Sequence, residues 1–305
     1  MRILLTNWHY SMLGGSQTWV YTVAQALAQA GHVPLVWSDG LGILAAQTAP
    51  FARCSTRLDD LAPWDVVWGS HQLTARVPGH TPRCQVVHAT VNQDQEAPVP
   101  GLDGYFAVSD EVADMLTAGG LACDGVIPQP IDTTRFRATQ SVGVWPPRVL
   151  AFGNYQRWVP LIEEACRRIG APLAVLGGPT DDNGRRWDVE TALNDADLVI
   201  GQTRCVLEAM ACERNAVICS GWDPDLGYGL DGFVTPEAYR TFQRTNCTGN
   251  VRRLRPTVEG LMDEIRRYAP GLGPSLRVVV ETHHTPLTAI APLLAWTRRV
   301  TGRPL

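Results

Sequence analysis

Residues 196–220 read ADLVIGQTRCVLEAMACERNAVICS, and the fold turns on how this stretch is parsed. DLVI is a strand-length apolar run that stops at Gly201 and a short polar turn. LEAMA, after Arg204, is a run of good helix formers, and NAVICS is a second strand-like run. Strand, turn, helix and strand in close succession form the repeating unit of a parallel α/β sheet. Arg204 and Glu208 place a guanidinium and a carboxylate close to the helix start, where they look like contacts for a ligand. A carboxylate can accept two hydrogen bonds from adjacent hydroxyls, as on a ribose, and an Arg can neutralise a phosphate. The plainer reading is a Glu settled in the helix beside a solvated Arg.

The same alternation extends in both directions. RILLTN (2–7) and VPLVWSD (33–39) are strand-like, and between them Ser16 can N-cap a helix carrying Val20, Val23, Ala24 and Leu27 at helical spacing, ended by Gly31. Further strand-like runs lie at 65–68, 85–87 and 104–108, with a helical stretch at 111–116. SVGVWPP (141–147) reads as a linker, after which RVLAFGN, a helix over 161–169 and PLAVLGG restart the pattern. The segment 288–300 reads as a terminal helix with Ala291, Leu294 and Ala295 as its apolar stripe. At 305 residues the chain exceeds one ordinary core. The expected architecture is α/β: two Rossmann-like doubly wound domains facing a cleft, at 1–140 and 148–285, with a terminal helix at 286–305 packing back toward the first. Functional residues should follow the strands, since open α/β sheets bind ligands beyond the carboxyl ends of their strands.

Composition narrows the function classes. A hydrophobic fraction of 45% and a charged fraction of 18% describe a folded globular chain. No apolar run approaches the ~18 residues of a membrane span, and a cytoplasmic protein is expected. The eight Cys form no CxxC pair, so buried reduced thiols are expected rather than disulfides or zinc ligands. All 26 basic residues are Arg, so any phosphate must be held by Arg, His or backbone N–H groups. A net charge of −4 argues against wholesale nucleic-acid binding but leaves room for a local patch. Two acid-free stretches are candidates for an anionic acceptor: 238–258 with Arg240, Arg244, Arg252, Arg253 and Arg255, and 71–88 with Arg76, His80 and Arg83. Solvated basic faces are the commoner explanation of such runs.

Three further motifs sit at strand ends. Gly14-Gly15-Ser16 separates the first strand from its helix, where the backbone can approach an anion, although the pattern is not G-x-G-x-x-G. VIPQPIDTTRF (126–136) runs a strand end into a Pro-locked loop and an Asp132 cap. Gly153, Asn154 and Arg157 in FGNYQR (152–157) could cradle a diphosphate, or Arg157 could be an ordinary surface Arg.

Taken in order, these pieces resemble the large retaining glycosyltransferase family of the GT-B fold, which uses nucleotide-sugar donors. The likeness rests on Gly14-Gly15, Val108-Ser109 before a helix, VIPQPIDTTRF against V-I-P-N-G-V-D-x-x-x-F, RVLAFGN, and ADLVIGQTRCVLEAMACERNAVICS against the family's A-D and L-E-A-M-A pattern. It spans nearly the whole chain. The resemblance implies that Glu208 grips the nucleotide ribose, that Gly15 approaches the donor phosphate, and that His88, after the VVH strand, lies near donor sugar and acceptor as the catalytic candidate. It also implies a UDP-sugar co-substrate, no metal, no other cofactor, and retention at the anomeric carbon. Trp187 falls where the family often builds its base pocket, and its indole could stack on a base or pack in a core.

The departures are specific. The family commonly carries a second Glu eight positions before the first; here that position is Ile200. Its diphosphate clamp is an Arg directly after Gly and a Lys about five further on. Here Asn154 takes the Arg position and the chain has no Lys, leaving Arg157 and Arg204 as local substitutes. Two other readings therefore stand beside transfer to a small acceptor hydroxyl: transfer to a hydroxylated pyrimidine of DNA, and nucleotide binding without transfer. An epimerase on the same fold is less favoured, because no acidic pair appears at the expected strand ends.

Overall fold

The computed structural model describes residues 1–90, 97–153, 158–177, 186–223 and 228–303. The chain divides into two compact units, Met1–Pro130 with Pro286–Leu305, and Ile131–Thr285.

The first unit contains β1 (Arg2–Thr6), β2 (His9–Tyr10), α1 (Gly15–Gln29), β3 (Val33–Trp37), β4 (Gly40–Leu41), α2 (Ile43–Thr48), β5 (Arg53–Ser55), β6 (Val66–Gly69), β7 (Arg83–Val87), β8 (Gly104–Ala107), α3 (Asp110–Ala118) and β9 (Gly125–Val126). Seven strands form one parallel sheet in the order β5-β3-β1-β6-β7-β8-β9. β6 and β8 are buried along their whole length, as parallel strands covered on both faces must be, so they read as continuous apolar runs rather than alternating ones. α1 buries Val20, Val23, Ala24 and Leu27, and Gly31 follows its end at φ 82°. Its N-cap is Gly14 in extended backbone, not Ser16, whose hydroxyl instead donates to the Gln17 side chain. α3 starts on Ser109, whose Oγ accepts the Val112 N–H.

The second unit contains β10 (Val149–Phe152), α4 (Val159–Ile169), β11 (Leu173–Leu176), α5 (Glu190–Asp195), β12 (Leu198–Gly201), α6 (Arg204–Ala211), β13 (Asn215–Asp223), β14 (Tyr228–Phe233), α7 (Pro236–Gln243), α8 (Val258–Arg266) and α9 (Gly273–His283). The strand order is β11-β10-β12-β13-β14, parallel except for the antiparallel β13–β14 pair. Apolar side chains cover both faces: Val206, Leu207 and Met210 of α6 lie in one core, Trp158, Ile162 and Leu261 in the other. Two glycines let the strand ends crowd together. A Cβ on Gly201 would stand 2.5 Å from the Phe152 carbonyl oxygen, and one on Gly177, at φ 105°, would stand 2.2 Å from that of Gly153. β14 has no counterpart in the sequence reading, because Gly229 and Gly232 interrupt its apolar character and its pairing with β13 shifts register twice.

Residues 131–147 belong with the second unit, so the boundary falls at Pro130/Ile131 and not in the 141–147 stretch. The hydrogen bonds explain why. The Thr139 N–H donates to Asn194 Oδ1 at 2.8 Å, the Gly143 N–H to Asp197 Oδ1 at 2.7 Å, and Arg277 reaches the carbonyls of Thr133 and Phe136. α10 (Pro286–Thr301) returns to the first unit and buries Ala289, Ile290, Leu293 and Trp296. Ala291 and Ala295, read as its apolar stripe, are exposed, because the packed face lies one position further round the helix. The Trp68 indole N–H donates to Thr297 Oγ1 at 2.9 Å, fastening α10 beside β6. All eight cysteines are free thiols. Among the described residues no helix is long and apolar enough to cross a membrane.

Candidate functional site

In the second unit the chain leaves β12 at Gly201 and enters α6 through Gln202 and Thr203. Thr203 adopts φ 48°, ψ −123°, a region that β-branched residues avoid, and its N–H donates to the Cys247 carbonyl at 2.9 Å. No side chain caps α6; its first turn is closed by the backbone, the Cys205 N–H donating to the Gln202 carbonyl at 3.1 Å and the Val206 N–H to that of Thr203 at 3.2 Å, and the positive end of the helix dipole lies at the carboxyl end of the sheet. Arg204 Nε donates to Glu208 Oε1 at 2.8 Å, and the two residues are only 7% and 6% exposed. Burial pushes the Glu208 carboxyl up from its ordinary value, with the nearby Arg204 and Arg135 charges pulling the other way, and pushes the Arg204 guanidinium down. A cation one turn N-terminal to its acid is the order the helix dipole disfavours. The pair is therefore poorly explained as a device for stabilising α6.

A second cation stands beside this pair. Asp132 Oδ1 accepts the N–H groups of Thr134 at 2.9 Å and Arg135 at 3.1 Å, which fixes the turn from which Arg135 projects. The Arg135 guanidinium lies 3.8 Å from the Trp187 ring centroid and 4.9 Å from that of Phe136. Its Nε donates to Glu190 at the start of α5 and its Nη2 to the Trp187 carbonyl. Arg204, Glu208, Arg135, Glu190 and Trp187 thus form one neighbourhood. Trp187 is neither a core residue nor an open platform, since Arg135 covers part of its ring. The sequence reading missed Arg135 and Glu190, although Arg135 stands in plain view in VIPQPIDTTRF.

Gly153 closes β10 beside Gly177. Asn154 and Arg157, the expected diphosphate contacts, lie outside the described residues. Ile200, at the position of the absent second Glu, is fully buried in β12 among Val149, Ile162 and Val217, and so serves the core.

In the first unit Gly14 and Gly15 open α1 after β1, and a Cβ on Gly15 would meet nothing within 4 Å. His88 follows β7. Its ring meets the edge of Trp19 at 5.4 Å between centroids and lies nearly parallel to His71 at 6.5 Å. His71, buried, accepts the Trp8 N–H at Nδ1 at 3.4 Å. Asn7, after β1, is fully buried, and neither of its amide atoms has a hydrogen-bond partner among the described residues. His71 and Asn7 were also missed. Each is the first markedly polar group after a strand, which was the available signal.

The basic stretches are largely engaged. Arg76 pairs with Asp39, Arg83 donates to the carbonyls of Val77 and Gly79, Arg252 reaches Glu264 and the Asp231 carbonyl, and Arg253 donates to the Asn250 carbonyl. Arg240 and Arg255 are exposed. Among the described residues no three His, Cys, Asp or Glu side chains group to hold a metal ion.

No protein-family profile and no curated protein sequence matches the chain. Solved structures do. A glycosyltransferase from Rickettsia africae superposes with a TM-score of 0.67 at 12% identity, covering 99% of both chains. Anabaena HepE, in complex with UDP and glucose, gives 0.62 at 14% identity over 97% of this chain and 100% of its own. An α-glucosyltransferase in complex with UDP and a 13-mer DNA containing an HMU base gives 0.59 at 10% identity over 97% and 99%. At such identities the likeness speaks for the fold: the chain has the GT-B glycosyltransferase fold, built from two Rossmann-like α/β units.

Proposed function

We propose that the protein is a glycosyltransferase that moves a sugar from a nucleoside diphosphate donor, a UDP-sugar, to an acceptor hydroxyl with retention of configuration and without a metal. The observation that carries this reading is the uncapped start of α6 with the buried Arg204–Glu208 pair one turn inside it. In the proposed complex Glu208 accepts the ribose hydroxyls through the oxygen that Arg204 Nε leaves open. The positive end of the α6 dipole faces the diphosphate. As the sugar–oxygen bond breaks, negative charge gathers on the departing diphosphate, and a preorganised helix terminus stabilises it without rearranging. Gly153 offers close backbone approach to the donor, while Asn154 and Arg157 remain candidates for the phosphates; for Gly14 and Gly15 the same role is proposed from the resemblance alone. His88 is proposed beside the acceptor hydroxyl.

The test is incubation with UDP-sugars, alone and with a panel of hydroxyl acceptors, followed by proton NMR. Release of UDP with a glycoside of unchanged anomeric configuration is expected. Nucleotide binding with no turnover on any acceptor would favour the binding-protein reading, and isomerised sugar without a glycoside would favour an epimerase. A second reading takes hydroxylated DNA bases as acceptor, supported by the α-glucosyltransferase of the same fold in complex with HMU-containing DNA. Steep weakening of DNA binding with salt would support it, and absence of binding at low salt would remove it.

A further inference from the structure

We infer that Arg135 reads the nucleobase of the donor and selects a base with a carbonyl oxygen at position 4, uracil over cytosine, through the free edge of a guanidinium stacked on Trp187. The inference rests on the proposed nucleotide site at α6 and names a specificity residue for it. Arg135 is held in four ways: the turn organised by Asp132 sets its backbone, the Trp187 ring covers its face at 3.8 Å, Glu190 takes Nε, and the Trp187 carbonyl takes Nη2. Nη1 makes no hydrogen bond among the described residues, and the side chain keeps 17% of its exposure. A guanidinium offers donors only. Its fixed, open edge therefore accepts a neighbour with a lone pair and rejects one that presents N–H.

The choice of base over phosphate follows from charge and position. Glu190 already neutralises Arg135, which suits a neutral carbonyl better than a diphosphate. The phosphate end of the site is the start of α6. Glu208 stands four residues, about 6 Å, along the helix, and Arg135, tied to Trp187 and to the start of α5, lies within electrostatic reach of it. In the proposed complex a nucleotide with its diphosphate at the helix start and its ribose on Glu208 has its base beyond the ribose, and Arg135 is the donor open to meet it. Uracil and cytosine differ at position 4, where uracil has an oxygen acceptor and cytosine an amino donor, and at N3, so the UDP/CDP comparison is read together with its change in an Arg135 variant.

Equilibrium titration with UDP, CDP and the diphosphate of 4-deoxyuridine, which has hydrogen in place of O4, tests the inference. The wild-type protein is expected to bind UDP about tenfold or more tightly than either of the others, as a hydrogen bond to a charged donor implies. Arg135→Gln, whose amide can donate or accept, should bring UDP and CDP within about threefold of each other. Equal wild-type binding of the three ligands would overturn the inference, as would an unchanged UDP/CDP ratio in a folded Arg135→Gln. The ligand comparison stands without the variant should the variant not fold. Absence of binding by any of the three would instead count against the nucleotide site itself.

Discussion

Thr203 is the sharpest single test of how the α6 turn is built. A threonine at φ 48°, ψ −123° stores strain of about 1–3 kcal/mol. Its hydroxyl makes no hydrogen bond among the described residues; its N–H donates to the Cys247 carbonyl and its own carbonyl accepts from the Val206 and Leu207 N–H groups. Glycine removes the strain and keeps that bond, but frees the unfolded chain at a cost of about 0.5–1 kcal/mol. Thr203→Gly should therefore stabilise the second unit by about 1 kcal/mol, a rise of roughly 2–4 °C in its Tm. Thr203→Ala keeps a Cβ at the same φ and should change little, so the pair isolates backbone strain from side-chain loss. Guanidinium unfolding followed by circular dichroism measures both variants. If Thr203→Gly proves no more stable than Thr203→Ala, the strain is not there and the reasoning fails. The Gly variant should also bind UDP more weakly, because the first turn of α6 loses its fixed direction.

Other outcomes follow from neighbouring geometry. Glu208→Gln should weaken UDP binding about tenfold by titration calorimetry, as it replaces a charged acceptor by a neutral amide; unchanged affinity would remove Glu208 from the ribose. His88→Ala should lower kcat for transfer while leaving UDP affinity within about twofold, and a loss confined to donor affinity would reassign it. Burial opposes ionisation of Asp197, but hydrogen bonds from the Arg148 side chain and from the Arg148 and Gly143 N–H groups outweigh it and hold the carboxyl below its ordinary value. Because its folded value is depressed, its contribution is complete above about pH 4 and disappears as pH falls through the folded value. Asp197→Asn should flatten the acid-side loss of stability in urea melts at pH 2–5, values spanning about that window. An unaltered pH slope would contradict this.

The β12–α6–β13 unit was legible because parallel strands buried on both faces are written as unbroken apolar runs, and LEAMA favours only one conformation. β14 was not, because Gly229 and Gly232 dilute the signal and antiparallel pairing with β13 supplies what the local residues lack. Within the site, Arg204 and Glu208 lie four residues apart and could be paired on paper. Arg135 could not, since Trp187 and Glu190 lie more than fifty residues away and only the folded chain unites them. The backbone of Thr203 was equally hidden, because threonine gives no hint of positive φ and the constraint comes from Cys247 across the unit. His71 and Asn7 were missed for a different reason: each ends a strand as His88 does, but neither stands in a motif.

The central claim is that a nucleoside diphosphate sits on the second unit with its ribose on Glu208 and its diphosphate at the start of α6. A crystal structure of the protein with UDP measures this directly. The account predicts ribose hydroxyls within hydrogen-bonding distance of the Glu208 carboxylate and phosphate oxygens at the start of α6. A nucleotide bound without contact to residues 203–208 would contradict it.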